Sequence, residues 1–190
     1  LSPLTIVGLD LSLTSTGVAE VYLKDGAAGT ESEIKVSSYG TKGKDTATLV
    51  ERHDRLKLLA TRIVNQVIDT KPDLILVESP AFNSRNGHPH DRSGLWWLVV
   101  HSLAERRFRV VEVPIQSVKK YATGKGNASK DEILIAMTRR YAAVEFKNND
   151  ESDALALAGI GAAHLGHHLV ELPKKNLESL DSVRWGEDDG

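Results

Sequence analysis

The chain has 190 residues, 41% of them hydrophobic and 26% charged, with a formal net charge of −2 and no cysteine. That size and balance suit one soluble domain with a full core; they exclude disulfides and thiolate metal sites, and the near-neutral charge argues against a general nucleic-acid binder. No apolar run approaches the roughly 20 residues of a membrane span, and the N-terminus lacks the basic, apolar and small-residue succession of an export signal, so the expected location is the cytoplasm.

Residues 4–11 and 16–24 read as strands joined by the turn Leu13-Thr14-Ser15, and residues 34–39 as a third strand. The short connections point to an antiparallel meander. The period then changes. Leu49, Leu56, Leu59, Ile63 and Val67 form a helical stripe, with Pro72 just past its end. Residues 74–78 read as a buried strand and residues 80–92 as a polar loop. Ser93 to Arg107 reads as a helix whose centre, Leu95-Trp96-Trp97-Leu98-Val99-Val100, is more apolar than one covered face requires. A short strand at 110–113 follows, then a helix started by Pro114. After the glycine-rich break Thr123-Gly124-Lys125-Gly126-Asn127, Ser129 and Glu132 are spaced for a capping box. The last helix is expected from about Asp150 to His168. Beyond Pro173 the chain is polar and acidic and is expected to fray. The whole predicts one α/β domain over residues 1–170, a mixed five-stranded sheet flanked by helices, with a flexible acidic tail over 171–190.

Charge is unevenly spread. From His101 to Lys147 there are ten Lys/Arg and five Asp/Glu, whereas from Glu171 to Gly190 there are three Lys/Arg and six Asp/Glu. A basic segment beside an acidic tail is either a DNA-facing surface or an ordinary solvated helix face.

Four acidic residues carry more information. Asp10 ends the apolar run Leu4-Thr5-Ile6-Val7-Gly8-Leu9, and Glu78 ends Leu74-Ile75-Leu76-Val77. A carboxylate at the end of a buried strand is costly unless it is paired, hydrogen-bonded or bound to a cation. Asp150 and Asp153, three apart, share one helix face. By themselves they could simply complement the helix dipole, but that does not account for acids in two apolar strands. If the two strands are neighbours, the four carboxylates form a shared site for a divalent cation, and an all-oxygen donor set suits Mg²⁺ or Mn²⁺.

The motifs Gly8-Leu9-Asp10, Val77-Glu78, Gly124-Lys125-Gly126-Asn127-Ala128-Ser129-Lys130 and Asp150-Glu151-Ser152-Asp153-Ala154-Leu155-Ala156 occur in the order found in RuvC. Over residues 4–168 the chain resembles the RuvC family of Holliday junction resolvases, within the ribonuclease H-like superfamily, and looks more like a phage-encoded member. The resemblance implies a metal-dependent endonuclease that nicks branched DNA, with Asp10, Glu78, Asp150 and Asp153 as metal-binding catalytic acids. It implies two Mg²⁺ ions per site, with Mn²⁺ able to substitute, and a homodimer. It also marks Lys119 and Lys130 as phosphate contacts, with Lys125 in the loop between them. Two departures stand out. Ser12 replaces the family's glycine two residues after the first acid. The family's junction-inserting aromatic falls at Ala81, with Phe82 one later. Phe82, in a loop that also carries Arg85 and Arg92, is either a wedge at the DNA branch or a core residue.

His88 and His90 are expected to face solvent or phosphate rather than a metal, and His167 and His168 to complement a helix C-terminus. Trp96 and Trp97 point about 100° apart on a helix, so one can fill the core while the other reaches a partner subunit. Two further functional classes fit parts of the pattern. A non-catalytic binder of branched DNA would lack at least one of the acids. An actin-like phosphotransferase would need a second nucleotide-binding half, for which 190 residues leave no room.

Overall fold

The computed structural model describes residues 4–24, 32–80 and 88–186. In chain order the strands and helices are β1 (Leu4–Asp10), β2 (Thr16–Leu23), β3 (Ser32–Tyr39), α1 (Leu49–Thr70), β4 (Leu74–Glu78), α2 (Pro89–Glu105), β5 (Val110–Val113), α3 (Ile115–Thr123), α4 (Lys130–Arg140), α5 (Asn149–His164) and α6 (Lys174–Leu177), closed by a 3₁₀ turn at Glu178–Ser182. Among the described residues no helix is long and apolar enough to cross a membrane.

The five strands form one sheet in the order β3-β2-β1-β4-β5. The first three are the antiparallel meander expected from their short connections. β4 and β5 join in parallel after helical crossovers. Side-chain alternation of period two divides the core. Ile6 on β1 and Leu74 and Leu76 on β4 face α5, where Leu155 and Ile160 are fully buried. Val7, Leu9, Ile75 and Val77 face the other way, against Ile63 and Val67 of α1 and Val99 of α2. The fold is therefore a three-layer sandwich with both sheet faces covered.

Helix ends account for most boundary differences. At α1, Thr48 and Glu51 form a reciprocal capping box, and at α4 Ser129 and Glu132 form the one expected. α2 starts at Pro89, four residues earlier than expected, because proline in the first turn gives up an amide that has no helical partner in any case. α5 ends at His164 instead of 168. Gly166 adopts a positive φ of 82°, and the amides of Gly166 and His167 donate to the carbonyls of Ala163 and Ala162, at 3.1 and 2.8 Å. That is the Schellman arrangement.

The segment expected to fray beyond Pro173 is packed over residues 174–185. Asn176 is buried, and its Nδ2 donates to the Tyr121 carbonyl at 2.8 Å. Lys120 pairs with Glu178 at 2.9 Å, and the Trp185 ring stacks on His164 with centroids 3.6 Å apart. The acidic composition concealed Val183 and Trp185, the apolar contacts that hold this segment down.

Candidate active site

Asp10 is the last residue of β1 and Glu78 the last of β4. These strands are parallel neighbours with Leu9 opposite Val77, so the two acids follow one another across the pair, about 4.8 Å apart in backbone spacing. Period-two alternation puts Asp10 on the same face as Ile6 and Gly8, and Glu78 with Leu74 and Leu76. Both carboxyls thus point to the layer occupied by α5.

Two glycines let α5 come close enough to complete the cluster. A Cβ at Gly8 would run into the carbonyl of Ala154, and one at Gly17 into the carbonyl of Asp150. With hydrogen at both positions, the first turns of α5 lie on β1 and β2, which brings Asp150 and Asp153 over Asp10. The helix start is also fixed in register. Asn148 caps it by accepting from the Glu151 amide at 3.0 Å. Glu151, only 1% exposed, accepts from Ser38 Oγ at 2.8 Å and from the Lys147 amide at 2.8 Å. Glu151 is therefore structural, whereas its neighbours Asp150 and Asp153 face the site.

The electrostatics are those of a crowded, dehydrated acid cluster. Burial, then the charges of Glu78 and Asp153, hold the Asp10 carboxyl well above its ordinary range. Burial and Asp153 push Glu78 up to about 7; burial, with Asp150 adding to it, pushes Asp153 up to about 6. Lys130 opposes the rise at all three. Its Nζ lies 3.4 Å from Asp150 Oδ1 and 4.0 Å from Asp153 Oδ2, which places an ammonium where the cluster most needs positive charge. Lys119, half-buried on α3, also acts on Glu78 and Asp153.

The donor set suits a hard divalent cation. Asp153 Oδ1 is buried with no hydrogen-bond partner, an arrangement that costs free energy until a cation or donor meets it. Among the described residues no three acidic or histidine side chains close around a single point. The four acids are gathered at one end of the sheet, with Lys130 reaching in among them.

The other expected site residues are placed as follows. Lys125 is exposed in the glycine-rich loop, 3.8 Å from Glu132. Phe82 and Arg85 lie outside the described residues, as does Ala81. Ser12 turns inward on its own loop: its amide donates to Thr16 Oγ1 at 3.0 Å, and the Thr16 hydroxyl returns a bond to the Ser12 carbonyl at 2.7 Å. His88 occupies the N-cap position of α2 without a side-chain capping bond, and stands 3.8 Å from Asp45. Sequence reasoning missed Trp96. Its ring is buried, and its Nε1 donates to the Glu78 carbonyl at 2.9 Å, fixing the strand end that carries the acid. The tryptophan pair was visible in the sequence, but the direction of its indole was not. Trp97 is 63% exposed, so the two rings do divide between core and surface.

No family model matches the chain. Curated relatives do. The crossover junction endodeoxyribonuclease RuvC of Rickettsia typhi is 27% identical over 159 residues, covering 80% of this chain and 93% of that protein. Among solved structures, Thermus thermophilus RuvC superimposes with a TM-score of 0.67 at 18% identity, covering 86% of this chain and 97% of that one. The chain is RuvC-like in sequence and in fold. A second T. thermophilus RuvC structure, in complex with its Holliday junction substrate, matches with a TM-score of 0.64 at 17% identity, over the same shares of the two chains. The four acids sit at the ends of the adjacent strands β1 and β4 and in the first turns of α5, the helix laid across them.

Proposed function

We propose that this protein is a metal-dependent endonuclease that nicks branched DNA such as four-way junctions. The observation that carries the reading is the convergence of Asp10, Glu78, Asp150 and Asp153 at one sheet end. The raised proton affinities of Asp10, Glu78 and Asp153 and the unpartnered Asp153 oxygen describe a site waiting for cationic charge. The RuvC names of the curated relatives point to the same chemistry.

Asp10, Glu78, Asp150 and Asp153 would hold the cations, two Mg²⁺ per site with Mn²⁺ as a substitute. When bound, divalent ions would supply Lewis-acid stabilisation of phosphodiester hydrolysis. The chain's own groups do the rest. Asp153, with one oxygen free of hydrogen bonds, orients the attacking water and accepts its proton. Lys119 and Lys130 neutralise the phosphate at the scissile position, and Lys130 leaves the carboxylates for that phosphate. Lys125 offers its ammonium and the amides of a glycine-rich loop to the flanking phosphate. Phe82 and Arg85 complete the DNA surface, with Phe82 stacking at the branch.

Residues 1–170 constitute the nuclease unit, and residues 171–186 are a packed extension of it. Assembly is a homodimer through α2, whose Trp97 and Leu98 are exposed. An isologous interface would give a symmetric junction two symmetric sites.

The test is incubation of the full chain with labelled four-way, flap and linear DNA, in Mg²⁺ and in chelator. Metal-dependent nicks confined to branched substrates, lost in Asp10→Asn and Asp153→Asn, support the reading. Binding without nicks would make the protein a non-catalytic junction binder.

A further inference from the structure

Two loops of similar composition stand at the acidic end of the sheet. Gly124-Lys125-Gly126-Asn127 belongs to the DNA surface already described. Thr41-Lys42-Gly43-Lys44, between β3 and α1, has had no role. The sheet order puts them on opposite sides of the acids. β3 lies two strands from β1 toward one edge, whereas α3 and the glycine loop follow β5 at the other edge. With strands about 4.8 Å apart, the root of the first loop is about 10 Å from the root of Asp10.

This loop is built onto the active-site turn. The Thr41 amide donates to the Leu13 carbonyl at 3.2 Å, three residues after Asp10. Beneath it, Arg55 of α1 donates Nε to Thr41 Oγ1 at 3.1 Å and Nη2 to the Leu13 carbonyl at 3.2 Å, and also to the Thr41 carbonyl. Gly43 lies directly against the Arg55 guanidinium, which would have to shift to admit a Cβ there. These bonds go to neutral oxygens and leave the Arg55 charge uncancelled by them. The nearby Asp91 is instead bound by both Nε and Nη2 of Arg52. Lys42 and Lys44 are exposed on top. Together with Arg52, Arg55 and His88 they line a hollow of about 360 Å³ open to solvent. Of the acids on its wall, Glu51 is tied to Thr48 and Asp91 to Arg52, and Asp45 faces His88 at 3.8 Å.

We propose that Thr41-Lys42-Gly43-Lys44 is a second phosphate-binding loop, contacting the sugar-phosphate backbone of a DNA arm on the side of the acids opposite Lys119 and Lys125. The inference rests on the nuclease reading of the site. A rigid glycine–lysine loop over an arginine, open to solvent instead of enclosing a cavity, fits a polyanion passing across it better than a free anion held within it. Two such loops bracketing the acids would hold the duplex on both sides of the phosphate to be cut.

The experiment is a salt titration of junction binding by the full chain in chelator, from about 50 to about 200 mM salt, using a labelled four-way junction. The variants are Lys42→Ala/Lys44→Ala, Lys119→Ala, and Lys24→Ala, whose residue lies past β2 at the far end of the sheet. The double variant is expected to reduce the slope of log affinity against log salt by about two and to weaken binding at least about tenfold at about 0.1 M salt. Lys24→Ala is expected to change neither, with melting temperatures equal throughout. An unchanged slope in the double variant beside a reduced one in Lys119→Ala overturns the second loop and leaves the nuclease reading standing. An equal loss in Lys24→Ala also overturns it, as a general charge effect. Absence of junction binding by the unaltered chain overturns both.

Discussion

Glu78→Gln should make the metal-free protein more stable, and only above a definite pH. The Glu78 carboxyl ordinarily titrates at 4.5, and burial with Asp153 raises it to about 7 in the folded chain. A folded-state value above the unfolded one means that the native state holds its proton longer. The stability this confers is complete below about pH 4.5 and is lost as pH rises through about 7. The span corresponds to about 3 kcal/mol at pH 8. Glutamine has nearly the same shape and cannot ionise, so it escapes that loss. For a domain of this size 1 kcal/mol moves the melting temperature by about 2–4 °C. In chelator at pH 8, Glu78→Gln should therefore melt roughly 6–12 °C above the unaltered chain, the gap closing as pH falls to about 4.5. Thermal melts followed by circular dichroism across that range read it directly. Adding Mg²⁺ should reverse the order, since an ion that binds only the folded state stabilises it by mass action and the variant has lost a ligand. A gap that does not vary with pH would show that Glu78 is not an ionisable member of a buried cluster, and the metal-site assignment would lose its main physical support.

Gly8→Ala should cost about 1–3 kcal/mol of stability, and it should abolish cleavage under conditions where the variant remains folded, because the new methyl pushes α5 and its two acids off β1; full activity in that variant would remove the glycine from the positioning argument. Trp97→Glu should convert the proposed dimer to a monomer by sedimentation while leaving the melting profile of the monomer unit intact, since the ring is exposed; an unaltered sedimentation coefficient overturns the assignment of a dimer interface to α2. Trp96→Phe keeps the buried ring but loses the indole donor to the Glu78 carbonyl, and should lower the cleavage rate at saturating junction about tenfold or more with a change in melting temperature of only a few degrees. Phe82→Ala should reduce nicking of branched DNA by an amount matching one lost stacking contact, roughly 1–3 kcal/mol, with thermal stability unchanged; a large fall in melting temperature would instead make Phe82 a core residue.

Much of this architecture was legible because it is local. β4 and β5 run over the residues that their apolar runs mark out, and the Ser129–Glu132 capping box is a four-residue pattern that forms as written. Where local signals compete, the sequence is less informative. The first turn of α2 is so polar around Pro89, His90 and Asp91 that it reads as loop, until Arg52 from another helix binds Asp91. Residues 171–190 average out as acidic, yet a few contacts distant in sequence, such as Asn176 with Tyr121 and Trp185 with His164, hold residues 174–185 in place. Average composition has no access to such contacts.

The site shows the same division more sharply. Each acid is anomalous where it stands, a charge ending an apolar strand or opening an apolar helix, and that anomaly needs no partner to be noticed. What gathers the four is less conspicuous: strand parity that turns Asp10 and Glu78 to one face, and two missing side chains, at Gly8 and Gly17, that let a helix lie flat on the sheet. Glu151 illustrates why an acidic motif alone misleads. It stands between Asp150 and Asp153 in sequence, yet it is turned away from the site and bound to Ser38 and the Lys147 amide. Its work is to hold the helix start in register, so that Asp150 meets Lys130 and Asp153 Oδ1 stays without a hydrogen-bond partner. A cluster of underbonded carboxylates is stable only when the surrounding scaffold enforces it, and here the enforcing groups, Glu151, Asn148, Trp96 and the two glycines, take no part in the chemistry they make possible.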